Sequence, residues 1–201
     1  MLYRLAWVLC RAVLLTIRRM EVRGTENVPM HGGLVVVSNH KSYWDPVIMG
    51  CVLPKERPVR YMAKAELFKI PGLALIIKKL GTFPVNRGGS DRSAIRRALD
   101  ILASGEIVGI FPEGTRSKSD DMLEPHLGAA MLVARAGVPV LPVGILGSRG
   151  FFGKVRVIIG PPIVFNRESA DGGARRASRK DYSEMSIIIM DRIAGLIKAG
   201  L

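Results

Sequence analysis

The chain alternates between short unbroken aliphatic runs and longer stretches in which apolar residues recur every three or four positions. Residues 34–37, 59–62, 107–111 and 138–145 are of the first kind, joined by shorter runs at 81–87 and 154–159. Such runs, closed by Gly, Pro or polar clusters, predict buried strands. Helices are predicted at 46–53, ended by Pro54, and at 71–80. Another follows Ser90 or Asp91, with Ile95, Ala98, Leu99 and Leu102 on one face and Gly105 as its stop; a fourth runs over 127–136 to Gly137. A last helix over 182–198 repeats Met185, Ile188, Ile189, Ile193 and Leu196 on one side. Two prolines in 138–145 predict an edge strand or a bulge there. Residues 166–180, rich in Arg, Gly, Ser and Ala, read as a mobile insertion. Helices alternating with continuous aliphatic strands make this an α/β chain, with a largely parallel or mixed central sheet flanked by helices.

The N-terminal segment has its own pattern. Residues 2–17 are apolar except for Arg4, Arg11 and Thr16, and Arg4, Arg11 and Arg18 repeat every seven residues along one stripe of a helix. Sixteen residues span roughly 24 Å, short of the roughly 30 Å bilayer core. A central arginine also costs a spanning helix about 2.5–3.5 kcal/mol. The expectation is an amphipathic helix in the membrane interface over 1–20, arginines at the headgroups and Trp7 with the leucines in the acyl boundary, followed by one domain over 21–201. Packing of this helix on the protein's own core is the alternative.

Polar residues gather where predicted strands end. The run 34–37 delivers Ser38-Asn39-His40, and Asp45 follows five residues after His40, directly before Pro46. In a helix those two side chains would point about 140° apart; a turn lets them meet. A carboxylate on the imidazole Nδ1 proton would leave Nε2 as a general base. Asp45 before Pro46 is equally a helix N-cap, and His40 a surface residue. Two further strand exits carry Arg87 and the run Glu113-Gly114-Thr115-Arg116, guanidinium forks and backbone N–H groups suited to an anion. Strand ends are where open α/β sheets place their sites. No G-x-S-x-G elbow, Walker, Rossmann or metalloprotease string is present, which favours a base acting on a bound hydroxyl over a covalent enzyme intermediate.

Composition narrows the partner. Thirty Lys and Arg against 17 Asp and Glu give a formal charge of +13, which calls for an anionic partner. Aromatics are only 6% and lie mostly in apolar runs, so a nucleic-acid-stacking surface is excluded. Two cysteines, Cys10 and Cys51, form no disulfide framework or zinc motif, in keeping with a reducing, cytoplasmic setting.

These motifs together resemble the PlsC-like glycerolipid acyltransferases, typified by 1-acylglycerol-3-phosphate acyltransferases. The N-H-x-x-x-x-D block stands at Asn39 to Asp45, G-x-x-x-x-x-R at Gly81 to Arg87, F-P-E-G-T-R-S at Phe111 to Ser117, and the proline-bearing apolar block at 138–145. The resemblance covers about residues 22–163. It implies acyl transfer from acyl-CoA or acyl-carrier protein to the free hydroxyl of a lysophospholipid, giving phosphatidic acid when the acceptor is 1-acyl-sn-glycerol 3-phosphate. Another lysolipid or glycerol 3-phosphate remains an alternative acceptor. His40 would be the base and Asp45 its orienting acid, while Arg87, Glu113, Gly114, Thr115 and Arg116 would hold the acceptor's phosphate end. Lys78, Lys79 or a backbone N–H would face the thioester oxyanion. No metal or redox cofactor is implied, and the partner would be anionic lipid at the cytoplasmic face of a membrane. Members often carry a longer hydrophobic N-terminal portion, so one interfacial helix is expected here in place of two.

Overall fold

The computed structural model describes residues 2–86, 91–119, 121–165 and 177–201. Helix α1 (Leu2–Thr16) leads to β1 (Glu21–Arg23), then β2 (Leu34–Ser38), α2 (Asp45–Val52) and β3 (Val59–Lys64). A 3-10 turn (Ala65–Lys69) precedes α3 (Leu73–Lys79), followed by β4 (Phe83–Val85), α4 (Arg92–Ala103) and β5 (Ile107–Ile110). The chain ends with α5 (Gly128–Ala136), β6 (Val140–Leu146), β7 (Arg156–Ile159) and α6 (Arg179–Ala199).

Seven strands form one sheet in the order β1-β7-β6-β2-β5-β3-β4. Its pairings are parallel except β6 with β7, so the sheet is mixed. Alternation along β2 sends Leu34 and Val36 to one face, under α1 and α2, and Val35 and Val37 to the other, under α4, α5 and α6. Both faces are covered, which is why the strand is aliphatic at every position.

The proline-bearing strand β6 is not at an edge; it lies between β2 and β7. Val143 pairs with Ile159 and Val140 with Ile163, so three steps along β6 face four along its neighbour. Val140 donates to Ile163 on that side, and two residues on, the position lacking an N–H, Pro142, faces the same bulged stretch and accepts from Gly160 instead. A strand can hold a proline centrally when the missing donor points at a bulge.

Two other expectations change. The last helix begins at Arg179, where Ser178 and Asp181 form a reciprocal capping box, so 178–180 belong to the helix start and not to an insertion. The remainder of that segment, 166–176, lies outside the described residues. Arg11 of α1 and Arg18 just beyond it turn inward, while Arg4 is exposed. Arg11 donates to the Cys51 carbonyl and Trp7 Nε1 to the Leu53 carbonyl, 3.0 Å away, at the C-terminal end of α2. Those are carbonyls a helix end leaves without internal partners. Arg18 is wholly buried. The solvent side of α1 instead carries Leu2, Leu5, Val8, Leu9 and Leu15. Among the described residues no helix is long and apolar enough to cross a membrane.

Candidate active site

The site starts where β2 runs out. Asn39 is buried, and its side chain does what the next strand residue would do: Nδ2 donates to the Ile145 carbonyl at 2.8 Å and Oδ1 accepts from the Ile145 N–H at 2.9 Å. The pairing with β6 is thereby completed by a side chain, and the main chain is released to turn at His40. Its own polar groups are then caught by the loop after β5. The His40 N–H donates to Glu113 Oε1 at 2.7 Å, and its carbonyl accepts from the Ser117 N–H at 2.8 Å.

The turn that follows closes on Asp45. Its Oδ2 lies 2.9 Å from His40 Nδ1 and accepts 2.6 Å hydrogen bonds from the Lys41 and Ser42 backbone N–H groups. An oxygen already receiving two N–H donors is an acceptor toward the ring as well, which puts the imidazole proton on Nδ1 and a lone pair on Nε2. Asp45 is completely buried, and among the described residues its Oδ1 has no hydrogen-bond partner. It therefore fastens the turn and the imidazole and does not cap α2, whose N-cap position is Trp44 without any side-chain hydrogen bond.

The ring is also held flat. His40 stacks on Phe111 with centroids 4.1 Å apart, and Phe111 lies parallel to Tyr61, whose hydroxyl donates to the Pro46 carbonyl at 2.8 Å. Tyr61 is at the same time a wall of an apolar cavity of about 200 Å³, lined by Tyr3 and Trp7 of α1, Val47 of α2, and Ile77 and Leu80 at the end of α3. Burial pushes the Tyr61 hydroxyl well above its ordinary range and the Cys51 thiol up to about 12, which favours the neutral form of both wall groups.

The remaining sequence candidates separate. Glu113 is buried, with Oε1 taken by the His40 N–H and Oε2 by the Leu123 N–H at 2.9 Å, so its carboxylate braces the His40 backbone. Gly114 turns at φ 66°, where the His126 ring packs against it and leaves no room for a Cβ. Thr115 and Arg116 are exposed, and the Arg116 guanidinium lies 3.5 Å over the Tyr43 ring. Arg87 lies outside the described residues; Asn86 before them and Asp91 after them are joined by hydrogen bonds to Asp91 Oδ2. Lys78 and Lys79 are exposed in the last turn of α3, where the helix C-terminus suits cations, and among the described residues no contact joins either to His40 or Asp45. Sequence reasoning missed Asn39, Phe111 and Tyr61 as parts of the site, because their partners lie far along the chain.

Comparison with known proteins bears on the family of the chain. A family model described as Acyltransferase matches residues 19–146. The 1-acyl-sn-glycerol-3-phosphate acyltransferase of Bacillus subtilis is 35% identical over 158 residues, covering 75% of this chain and 77% of that protein. The enzyme of the same name from Borreliella burgdorferi is 29% identical over 158 residues, 75% of this chain and 62% of that protein. Among solved structures, the 1-acyl-sn-glycerophosphate (LPA) acyltransferase PlsC from Thermotoga maritima superposes with a TM-score of 0.75 at 26% identity, covering 98% of this chain and 77% of that one. With the family model spanning more than half of its length and the His40–Asp45 turn inside the match, the chain belongs to the PlsC-like acyltransferases and is an O-acyltransferase of the 1-acylglycerol-3-phosphate type.

Proposed function

We propose that this enzyme moves a fatty acyl group from acyl-CoA or acyl-carrier protein to the free hydroxyl of 1-acyl-sn-glycerol 3-phosphate, making phosphatidic acid. The observation that carries the mechanism is the His40 Nδ1 to Asp45 Oδ2 contact of 2.9 Å, which leaves Nε2 on the open side of a side chain that is 16% exposed. Nε2 takes the acceptor's hydroxyl proton as that oxygen attacks the thioester carbonyl. Asp45 stabilises the imidazolium so formed. The tetrahedral adduct collapses with cleavage of the C–S bond, and the proton passes from His40 to the departing thiolate. No bond to the enzyme forms at any stage.

Gly114, Thr115, Arg116 and Arg87 serve the acceptor's phosphate, Arg87 through its place in the G-x-x-x-x-x-R block. Glu113 acts one step back, by fixing the His40 backbone. The apolar cavity beyond Tyr61 accepts an acyl chain, its lining being almost free of polar atoms. The solvent-facing leucines of α1 lie in the cytoplasmic surface of a bilayer, where acceptor and product reside. The test is a screen of purified protein with lysolipid acceptors and both classes of donor, read by mass spectrometry. Phosphatidic acid formed from 1-acyl-sn-glycerol 3-phosphate supports the reading, and acylation of some other acceptor in its place overturns it.

A further inference from the structure

The loop from Gly147 to Val155, between β6 and β7, presents Phe151 and Phe152 at 60% and 78% exposure. Large exposed apolar side chains on a slack loop would fold back onto the protein. Here the backbone is prevented from doing so. The buried Arg18 side chain donates from Nε to the Gly153 carbonyl at 3.1 Å, from Nη1 to Gly150 at 3.0 Å and from Nη2 to Gly147 at 2.6 Å. The Val155 N–H returns to the Arg18 carbonyl at 3.0 Å. On the other flank Arg149 donates to the carbonyls of Ser117 and Ser119. A fixed charge, wholly removed from water, is thus devoted to holding a loop whose tip is apolar.

The tip stands beside the turn that joins His40 to Asp45. Phe151 meets the Trp44 ring edge-on at 5.6 Å, Phe152 packs edge-on against Phe151 at 5.5 Å, and Trp44 is the residue before Asp45. Arg18 itself lies 5.8 Å from the Trp44 ring. Arg149 and Lys154 flank the tip in the same loop, Arg149 reaching the Ser117 and Ser119 carbonyls on either side of the exposed Lys118 and Lys154 also pairing with Glu21, within a protein of formal charge +13. Aromatic side chains projecting past a collar of cations is the pattern that suits an anionic lipid interface, where rings enter the headgroup layer and Lys and Arg meet the lipid charge. We propose that Phe151 and Phe152 form a wedge that inserts into an anionic bilayer and seats the mouth of the His40 site on it, as a contact separate from the leucine face of α1. This rests on the proposal above that the acceptor is a bilayer lipid.

The ring that meets Trp44 is Phe151, with Phe152 packed edge-on outside it, so Phe152→Ala removes half the wedge and leaves the Phe151–Trp44 contact beside the His40 turn in place. The enzyme and this variant are assayed with a long-chain lysophosphatidate embedded in vesicles of phosphatidylglycerol and phosphatidylcholine, and with a monomeric short-chain lysophosphatidate in solution. The expected result is a rise in apparent KM for the embedded acceptor of about tenfold or more, with kcat and KM for the monomeric acceptor unchanged. In parallel, Phe152→Trp should show a blue shift in emission on adding the vesicles beyond that of the wild-type tryptophans. Equal losses on both acceptors, no loss on either, a rise confined to the KM of an acyl-carrier-protein donor, or an unshifted Phe152→Trp emission would overturn the wedge. Should the wild-type enzyme acylate neither acceptor, the proposed function fails, while the emission shift still decides the wedge.

Discussion

Replacing Asp45 by asparagine keeps the size of the side chain and removes its charge, at a place where the structure leaves little freedom. Three donors converge on Oδ2, from His40 Nδ1 and the Lys41 and Ser42 backbones. If the amide oxygen takes that position, the amide nitrogen brings two hydrogens to the buried Oδ1 position, where the carboxylate oxygen makes no hydrogen bond among the described residues. If the amide is turned over, its two hydrogens confront two backbone N–H groups. Each unmet buried polar group costs about 1–3 kcal/mol, and about 1.4 kcal/mol of misplaced or destabilised imidazolium is tenfold in rate. Adding the lost charge stabilisation of the imidazolium, kcat should fall on the order of 10²–10⁴-fold. The assay is steady-state acyl transfer from a thioester to 1-acyl-sn-glycerol 3-phosphate, with both KM values and a thermal melt recorded. Acceptor KM should stay within about threefold, because Asp45 is fully buried and its Oδ2 reaches the ring through Nδ1, away from the Nε2 side. A folded Asp45→Asn enzyme within tenfold of wild-type kcat would refute the orienting role.

Arg18→Met should destabilise the protein by about 3–5 kcal/mol, since three charge-assisted bonds to loop carbonyls are lost together in a buried place. For a chain of this size that is a fall in Tm on the order of 10 °C, and a change under about 2 °C would show the clamp to be idle. Asp91 caps α4 through the Ser93 and Ala94 N–H groups, and its bond to the Ser93 hydroxyl above all, with the Asn86 and Ala94 N–H groups next, holds its carboxyl well below the usual carboxylate range. A carboxyl whose folded value is depressed contributes stability that is complete above the unfolded value, near 3.9, and lost as pH falls below it. The Tm gap between wild type and Asp91→Asn should thus be constant from pH 7 to about pH 5 and narrow below about pH 4; a gap that widens on acidification would contradict the assignment.

The α/β architecture was legible because parallel strands buried on both faces must be aliphatic throughout, as 34–37 and 107–110 are. The His40–Asp45 pair was legible for a different reason: it is local, closed within one turn of the chain. What could not be read were interactions with partners far away in sequence. Asn39 completes a strand pairing with Ile145, 106 residues on, and nothing about an asparagine after a strand announces that. Glu113 looks like part of an anion site until its two oxygens are found on the His40 and Leu123 N–H groups. The seven-residue spacing of Arg4, Arg11 and Arg18 put all three on one stripe of a helix, but α1 ends at Thr16, so Arg18 lies past it, and periodicity does not say what a face meets. The free carbonyls at the end of α2 and in the 147–153 loop decided it, and the leucines were left outward. The two prolines near β6 forecast a bulge or an edge; the neighbour's bulge made the interior position tolerable. The capping box at Ser178 and Asp181 lay inside a stretch whose composition suggested no helix.

The central claim is that His40 Nε2 is the base for acyl transfer to a lipid hydroxyl. Its most direct measurement is phosphatidic acid formation, followed by mass spectrometry, from a thioester donor and 1-acyl-sn-glycerol 3-phosphate by wild type and by His40→Ala at matched folded concentration. Wild type should turn over and His40→Ala should lose nearly all of kcat with its melting behaviour preserved. A folded His40→Ala enzyme that keeps a substantial fraction of wild-type turnover would contradict it.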